Sequence, residues 1–208
     1  CLQEAQEKHL YEDLLPTLKE NQYKLAIFQK RTSDNKHDGC AILYKSNVLK
    51  LIRTKGLELY VQDHPILDRD NVAVISRFQF INDNKNKCSN SGSTNTEKTA
   101  SNTIESDIIV ATIHVVFNPK RGDVKMEQSH LLCEFISEFV NETRNSTSST
   151  TPTILKPALF ICGDFNSGEN SAIYKFFRTG NVDLTGVDHR KISGKNAMYM
   201  INNIQKSN

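Results

Sequence analysis

The spacing of apolar residues along the chain predicts a mixture of helices and short strands. Apolar side chains recur at helical intervals in residues 5–15 and 123–140, and a shorter helix is predicted for residues 170–178, closing near Gly180. Pro16 is expected to end or kink the first helix, because proline lacks the N–H that continues helical hydrogen bonding. Short apolar runs predict strands at residues 23–28, 40–44, 72–81, 107–117 and 157–162. The pattern is that of an α/β domain whose helices cover the faces of a sheet.

Two segments interrupt this pattern, because residues 82–104 and 141–153 consist mostly of Asn, Ser and Thr. Such side chains bury too little apolar surface to offset the entropy lost on ordering the backbone. We therefore predict that both segments are polar insertions at the surface of a single domain that takes in residues 1–208.

Composition narrows the class of protein. The 208 residues are 38% hydrophobic, which is enough to form a core, and 26 Lys and Arg against 24 Asp and Glu give a net charge of only +2. That balance argues against a non-specific nucleic-acid coat. No apolar run approaches the roughly 18 residues needed to cross a bilayer, so no membrane contact is predicted. The 5 cysteines are scattered and form no Cys-x-x-Cys pair, which favours a reducing compartment, the cytoplasm or the nucleus.

The sharpest chemical signal is the run Gly-Asp-Phe-Asn at residues 163–166, which directly follows an apolar strand. Ligands of α/β folds bind at the carboxyl ends of strands. Asp164 and Asn166 lie two residues apart, so on extended backbone they project to the same side. A carboxylate there can take a proton from water or hold a metal, and an amide can bind a phosphate oxygen without repelling it. Alone, the pair also suits a polar strand end that caps the next turn.

Two other strand-like runs end in groups that can do chemistry. Glu4 offers the hard oxygen ligand that Mg²⁺ prefers, although Glu is equally common in the first turn of a helix. His114 closes the strand predicted at residues 107–117, where a lone histidine is usually structural. Lys120 and Arg121 follow shortly after it and suit phosphate groups.

Taken together and in order, these groups resemble the active-site pattern of the endonuclease/exonuclease/phosphatase superfamily. The matching motifs are Leu-Gln-Glu (residues 2–4), Thr-x-His (112–114) and Gly-Asp-Phe-Asn (163–166). Four more segments are similar to the Angel proteins, which belong to the deadenylase-like branch with nocturnin. They are Asp-Gly-Cys-Ala (38–41), Arg-Asp-Asn-Val (69–72), Phe-Asn-Pro-Lys-Arg-Gly-Asp-Val-Lys (117–125) and Ile-Ser-Gly (192–194).

The resemblance implies a two-layer β-sandwich flanked by helices, with an Mg²⁺-dependent phosphoesterase site at the top of the sheets. It implies that Glu4 is the metal ligand and that Asp164 orients or deprotonates the attacking water. It further implies that His114 donates a hydrogen bond to the phosphoryl oxygens and that Asn166 contacts the phosphate. Pro119, packed against a terminal base, and Asn71, near the site, complete the implied substrate-binding set.

The implied reaction is hydrolysis of a phosphate ester at an RNA 3′ end. Removal of 3′ adenylates and hydrolysis of 2′,3′-cyclic phosphates both remain open at this point. The alternatives are a catalytically inactive RNA-binding adaptor and another phosphoesterase of the superfamily, such as a base-excision endonuclease or an inositol-phosphate phosphatase. The segment Asn-Pro-Lys-Arg-Gly-Asp at residues 118–123 argues against the latter group.

Two parts of the family site have no counterpart in the 208 residues. These are a strand carrying an Asn upstream of Leu-Gln-Glu and a final strand carrying an Asp and Ser-Asp-His. Asp188 and His189 precede the Ile-Ser-Gly segment, so we interpret them as a loop pair, and Asp63 and His64 as part of a turn. We therefore expect a fragment, truncated at both ends, that is weak or inactive alone, whereas its parent is a metal-dependent hydrolase.

Overall fold

The structure is a computed structural model that describes residues 1–33, 35–81, 107–145 and 157–194. Its strands are β1 Leu2–Gln6, β2 Tyr23–Lys30, β3 Asp38–Lys45, β4 Leu49–Glu58, β5 Val72–Phe80, β6 Asp107–His114 and β7 Ala158–Asp164. Its helices are α1 Glu7–His9, α2 Leu15–Lys19, α3 Gly122–Asn145 and α4 Ala172–Thr179, with a π-helical turn Leu10–Leu14 joining α1 to α2 and a 3-10 helix His189–Lys191.

The strands form two sheets that pack face to face. The first has the order β1-β3-β2 and is antiparallel, and the second has the order β4-β5-β6-β7, in which only β6 and β7 pair in parallel. Apolar side chains from both sheets meet in one cluster, which includes Cys40, Ile42, Val74 and Phe78. The predicted two-layer sandwich of the α/β class is confirmed.

Strand β5 lies at the centre of the layers and is buried on both faces. Val72, Val74 and Phe78 pack toward the first sheet, whereas Ala73 and Ile75 belong to the cluster on the opposite face. A strand covered on both sides reads as a continuous apolar run. That is why the alternation in this part of the sequence is only partial.

Helix α3 covers the outer face of the second sheet. Leu132, Phe135 and Phe139 of the helix share a core cluster with Ile109 and Ile113 of β6. Because α3 connects β6 to its parallel neighbour β7, helix and strands form a β-α-β crossover unit. This unit brings the carboxyl ends of β6 and β7 to the same edge of the sheet.

The helix α3 is longer than the predicted segment 123–140. It continues to Asn145, so the first part of the insertion predicted at residues 141–153 is helical. The remainder of that insertion and the whole of 82–104 lie outside the described residues.

The amino-terminal region differs most from its prediction. Strand β1 extends to Gln6, and the helix predicted at residues 5–15 begins only at Glu7 and passes Pro16 to end at Lys19. The backbone widens into the π-helical turn immediately before Pro16, which relieves the clash between a proline ring and the carbonyl four residues earlier. Strand β4 was not predicted, because Lys and Arg alternate with its apolar residues.

Strand β7 is more exposed than its apolar composition predicts. Leu159 and Phe160 are 45% and 54% exposed. In the part of the chain that the structure describes, β7 is the last strand of its sheet and pairs on one side only. No helix among the described residues is long and apolar enough to span a membrane.

Candidate active site

Three of the predicted site residues converge at one edge of the sandwich. His114 Nε2 lies 3.7 Å from Glu4 Oε1 and 4.0 Å from Asp164 Oδ2. The parallel register of β6 and β7 places His114 directly opposite Asp164, whereas Glu4 comes from the other sheet. Both distances exceed hydrogen-bond length. The arrangement is therefore two carboxylates facing one imidazole nitrogen, with the histidine buried and both acids accessible to solvent.

Glu4 reaches this position through an irregularity in β1. The pairing of β1 with β3 shifts register between Leu2 and Ala5, and Glu4 has a φ of +53°. A bulge re-aims a side chain that regular pleating would direct elsewhere. Left-handed backbone in a non-glycine residue costs of order 1–3 kcal/mol and is concentrated at functional sites. The Glu4 side chain is 71% exposed, so its carboxylate is open to a ligand.

The turn after β7 orients Asp164. Gly163 has a φ of +144°, and a Cβ at this position would collide with the carbonyl oxygen of Ile113, so only glycine allows β7 to approach β6 this closely. The N–H of Asn166 then donates a 2.8 Å hydrogen bond to Asp164 Oδ1. This bond holds the carboxylate so that its other oxygen, Oδ2, faces His114.

Asn166 is the second site residue in left-handed conformation, with a φ of +48°. It is buried, and its side-chain Nδ2 donates a 3.2 Å hydrogen bond to the carbonyl of Val115, just beyond the end of β6. The side chain of Asn166 thus joins the ends of the two parallel strands. The side-chain amide of Asn166 therefore binds a protein carbonyl, and its backbone N–H binds Asp164.

Asn71 is also near the centre but is buried. Its Nδ2 donates a 2.9 Å hydrogen bond to the backbone carbonyl of His114, and its Oδ1 accepts one of 3.3 Å from Gln128 Nε2. Both ends of this amide therefore bind protein groups. The structure places Asn71 behind His114, in a position to support its backbone.

Two residues of α3 that the sequence analysis did not identify contact this centre. Lys125 and Gln128 are both 0% exposed. Lys125 Nζ donates a 2.8 Å hydrogen bond to the carbonyl of Asn166, and Gln128 Oε1 accepts one of 2.9 Å from the N–H of Val116. The available signal was a Lys and a Gln, three residues apart, on the helix face that carries most of its apolar residues.

The loop that follows β6 begins directly after His114, at the rim of the site. The carbonyl of Pro119 accepts a 3.2 Å hydrogen bond from the hydroxyl of Ser193, so the Ile-Ser-Gly segment holds this loop in place. Lys120 is exposed. Arg121 instead binds Asp123, with Nε 3.1 Å from Oδ1, and this hydrogen bond raises the pKa of the guanidinium.

The same contact acts on Asp123. Partial burial, the largest single influence, acts to raise the pKa of this carboxyl, but the hydrogen bonds from Arg121 and the N–H of Val124 and the charge of Arg121 together outweigh it, so the pKa is lowered. Arg121 is therefore committed to a protein carboxylate. Lys120 is the better placed of the two cations to meet a phosphate.

A cavity of about 360 Å³ opens beside the carboxylate of Asp164. It is also lined by Phe165, Asn166, Glu169 and Tyr174, and none of the described residues in its wall is Lys or Arg. A wall of aromatic and acidic groups suits a nucleobase or ribose better than a phosphate. The cavity adjoins the carboxylate that faces His114.

Glu4 and Asp164 can meet the needs of a divalent metal only with help from other ligands. No cluster of three or more His, Cys, Asp and Glu side chains arranged for a metal ion occurs within residues 1–33, 35–81, 107–145 and 157–194. Mg²⁺, however, is commonly bound by only one or two protein carboxylates, with water and substrate phosphate completing its shell. Glu4 and Asp164 are accessible and converge on the same space, so the donor set fits that mode of binding.

Of the two Asp-His pairs interpreted as loop or turn residues, Asp63 and His64 lie in a turn, whereas Asp188 and His189 cap and begin a 3-10 helix. His64 Nδ1 accepts hydrogen bonds of 3.2 and 2.9 Å from the N–H groups of Ile66 and Leu67, which closes a turn. Asp188 caps the 3-10 helix His189–Lys191 by accepting a 2.9 Å hydrogen bond from the N–H of Arg190. The turn predicted at Asp63 and His64 is confirmed, and the loop predicted at Asp188 and His189 is corrected to the start of a 3-10 helix.

Sequence comparisons identify relatives that align with most of the chain. No protein-family model matches. Protein angel homolog 2 of Danio rerio is 31% identical over 195 residues, which is 94% of this chain and 29% of the relative. Protein angel homolog 1 of Homo sapiens is 32% identical over the same share of the chain and 25% of its own length. Protein angel of Drosophila melanogaster is 33% identical over 187 residues, 89% of this chain and 44% of the relative. The chain thus spans less than half the length of these relatives.

Solved structures also resemble this chain over most of its length. The crystal structure of ANGEL2, a 2′,3′-cyclic phosphatase, in complex with adenosine-2′,3′-vanadate aligns with a TM-score of 0.71 and 30% identity, over 93% of this chain and 47% of that chain. The human nocturnin catalytic domain with bound sulfate aligns with a TM-score of 0.58 and 20% identity, over 92% of this chain and 62% of that chain. At that identity, the second likeness shows the fold alone.

Proposed function

Because the chain belongs to the Angel family of the endonuclease/exonuclease/phosphatase superfamily, we propose that it carries the catalytic centre of a phosphoesterase acting on RNA 3′ ends. The observation that carries this proposal is the convergence of Glu4 and Asp164 on one nitrogen of His114. Phosphate esters resist hydrolysis because their oxygens repel a nucleophile. A site with a base, a hydrogen-bond donor and a place for a cation answers that difficulty.

The substrate we propose is a terminal 2′,3′-cyclic phosphate. The relative of known structure at 30% identity is described as a 2′,3′-cyclic phosphatase and is bound to an adenosine derivative. A 2′,3′-cyclic phosphate requires two neighbouring ribose hydroxyls, which RNA offers at its 3′ end. The cavity beside Asp164, with Phe165 and Tyr174 in its wall, supplies room for the terminal nucleoside.

The chain's own residues account for the hydrolytic step as follows. Asp164 Oδ2 orients a water molecule toward phosphorus and accepts its proton as the new P–O bond forms; the bond to one ribose oxygen breaks, and that oxygen takes up a proton to become a hydroxyl. His114 Nε2 donates a hydrogen bond to a phosphoryl oxygen, where negative charge develops. Lys120, exposed on the rim, attracts the phosphate of the approaching substrate. A second hydrolysis, using another water molecule, would release inorganic phosphate from the remaining monoester.

We propose Mg²⁺ as the cofactor, held by Glu4 with Asp164 nearby. When bound, the ion neutralises charge on the phosphate and polarises its oxygens, as divalent ions do in phosphoryl transfer. The bulge that turns the Glu4 carboxylate outward is the structural support for this role.

The test uses the full natural protein and two RNAs, one ending in a 2′,3′-cyclic phosphate and one in oligo(A) with a free 3′ hydroxyl. The proposal expects Mg²⁺-dependent conversion of the first RNA to one with a free terminal diol, without shortening. Stepwise shortening of the oligo(A) instead would assign the site to removal of 3′ adenylates. Binding of both RNAs with no change in either would overturn the phosphoesterase proposal and favour an adaptor.

A further inference from the structure

We propose that Lys125 and Gln128 of α3 are positioning residues that hold the ends of β6 and β7 in the geometry needed for hydrolysis. The inference rests on the proposed function and extends it to residues outside the catalytic set. Neither side chain is exposed, so neither contacts substrate directly. Both act through residues that line the centre.

Gln128 supports His114 from behind. Its Oε1 binds the N–H of Val116 and its Nε2 binds Asn71 Oδ1, while Asn71 Nδ2 binds the carbonyl of His114. The side chain therefore bridges two points on the backbone that carries the catalytic imidazole. All the groups in this bridge are buried, where hydrogen bonds are stronger and their loss is more costly than in water.

Lys125 supports the turn after β7. Its Nζ donates to the carbonyl of Asn166, whose N–H donates to Asp164 Oδ1 and whose side chain binds Val115. Asn166 is thus held at three points while its backbone keeps a left-handed conformation. An ammonium group removed from water is costly unless it is hydrogen-bonded. An apolar side chain would fill this space at lower cost, so the presence of lysine indicates a directional role.

The two supports predict a specific kinetic signature. Asp164 and His114 act on the transition state, and small displacements of such groups reduce the rate of the chemical step far more than substrate binding. Loss of either support should therefore lower kcat and leave KM nearly unchanged. A purely structural role would instead lower stability and the amount of active protein, with normal kcat per folded molecule.

The experiment compares Lys125→Met and Gln128→Met with Ser129→Ala in the full natural protein. Ser129 is a matched control, because it lies in the same helix, is fully buried and donates a 2.7 Å hydrogen bond to the carbonyl of Lys125. We expect both Met variants to lower kcat by about 10- to 100-fold, with KM within about threefold of wild type. Ser129→Ala should lose thermal stability but keep wild-type kcat.

A double-mutant cycle gives a second kinetic readout. If Lys125 acts through the turn that holds Asp164, then Lys125→Met should reduce kcat far less in an Asp164→Asn background than in wild type. Equal reductions in both backgrounds would overturn the positioning role. So would unchanged kcat in both Met variants, or an equal loss in Ser129→Ala.

Backbone hydrogen exchange provides a readout that does not depend on activity. In Lys125→Met, amides of the turn at residues 164–168 should exchange faster relative to those of β5, and in Ser129→Ala they should not. Unchanged exchange would overturn the inference even if the enzyme is active. If wild type hydrolyses neither RNA, the proposed function fails, but exchange still decides whether Lys125 holds the turn. Should Lys125→Met not fold, Gln128→Met carries the test, with exchange followed at residues 114–116.

Discussion

Gln3 of the first sheet donates a 2.6 Å hydrogen bond to Thr112 of the second. These two residues lie next to two residues of the candidate site, since Glu4 follows Gln3 and His114 stands two residues after Thr112. The bond therefore sets the separation of the two sheets at the point where Glu4 and His114 face each other across 3.7 Å. The candidate site depends on the packing of one sheet against the other as well as on the residues at its strand ends.

Replacing Thr112 with Val tests this link between the sheets. Val keeps the shape of Thr but removes the acceptor, so we expect the free energy of unfolding to fall by about 1 kcal/mol. We also expect kcat on the cyclic phosphate to fall by about 10-fold or more, because Glu4 and His114 lose their fixed spacing. The control is Thr54→Val, which removes a hydroxyl bonded to the carbonyl of Ile75 in the second sheet. Equal kcat in the two variants would contradict the role assigned to the Gln3–Thr112 bond.

The left-handed backbone at Glu4 predicts a conflict between stability and activity. Glycine adopts a φ of +53° without strain, whereas alanine does not. Glu4→Gly should therefore unfold with a free energy about 1 kcal/mol higher than Glu4→Ala, as measured by denaturant titration. Both variants should lose Mg²⁺-dependent hydrolysis, since both lack the carboxylate. A Glu4→Ala variant as stable as Glu4→Gly would show that the strain is absent.

Replacement of Lys120 is expected to weaken substrate binding without slowing the chemical step. Lys120 is exposed, and we assign it to attraction of the phosphate rather than to the reacting atoms. Lys120→Ala should raise KM several-fold at low ionic strength and leave kcat unchanged, an effect that shrinks as salt is added. Lys50→Ala, an exposed lysine of β4, is the control and should change neither constant. A fall in kcat for Lys120→Ala would place this residue in the chemical step instead.

The buried ion pair Arg31–Asp38 predicts a large loss of stability on removal of one partner. Arg31 Nη2 lies 2.6 and 2.7 Å from the two oxygens of Asp38, which is buried at the start of β3. Arg31→Met leaves that carboxylate without its guanidinium partner and should lower the free energy of unfolding by about 3 kcal/mol. Arg69→Met breaks the exposed pair with Asp68 and should cost less than about 1 kcal/mol. A smaller loss for Arg31→Met than for Arg69→Met would contradict the argument from burial.

Part of the site could be predicted because its residues terminate apolar runs. His114 and Asp164 each close a run of β-forming residues, and the parallel pairing of those strands then brings them together. Gly163 could also be recognised in the sequence, as the small residue between the apolar run and Asp164. These features are local, so they are visible in the sequence.

The remaining features of the site arise from tertiary contacts, so they could not be predicted from the sequence. The bulge at Glu4 depends on how β1 pairs with β3. The amide of Asn71 is held inside the protein by a hydrogen bond from Gln128. Lys125 binds a carbonyl 41 residues further along the chain, a contact that helical periodicity cannot reveal. Strand β4 was not predicted because cationic residues interrupt its apolar ones, as is common in edge strands, and this weakens the apolar signal.

The most direct test of the account is the initial rate of phosphate release from an RNA ending in a 2′,3′-cyclic phosphate. The full natural protein is compared with Asp164→Asn and with Asp188→Asn, a change of equal chemistry at the capping residue of the 3-10 helix. We predict that Asp164→Asn lowers the rate by about 100-fold or more, because the water molecule loses its base, and that Asp188→Asn does not. A wild-type rate for Asp164→Asn would contradict the assignment of the catalytic centre.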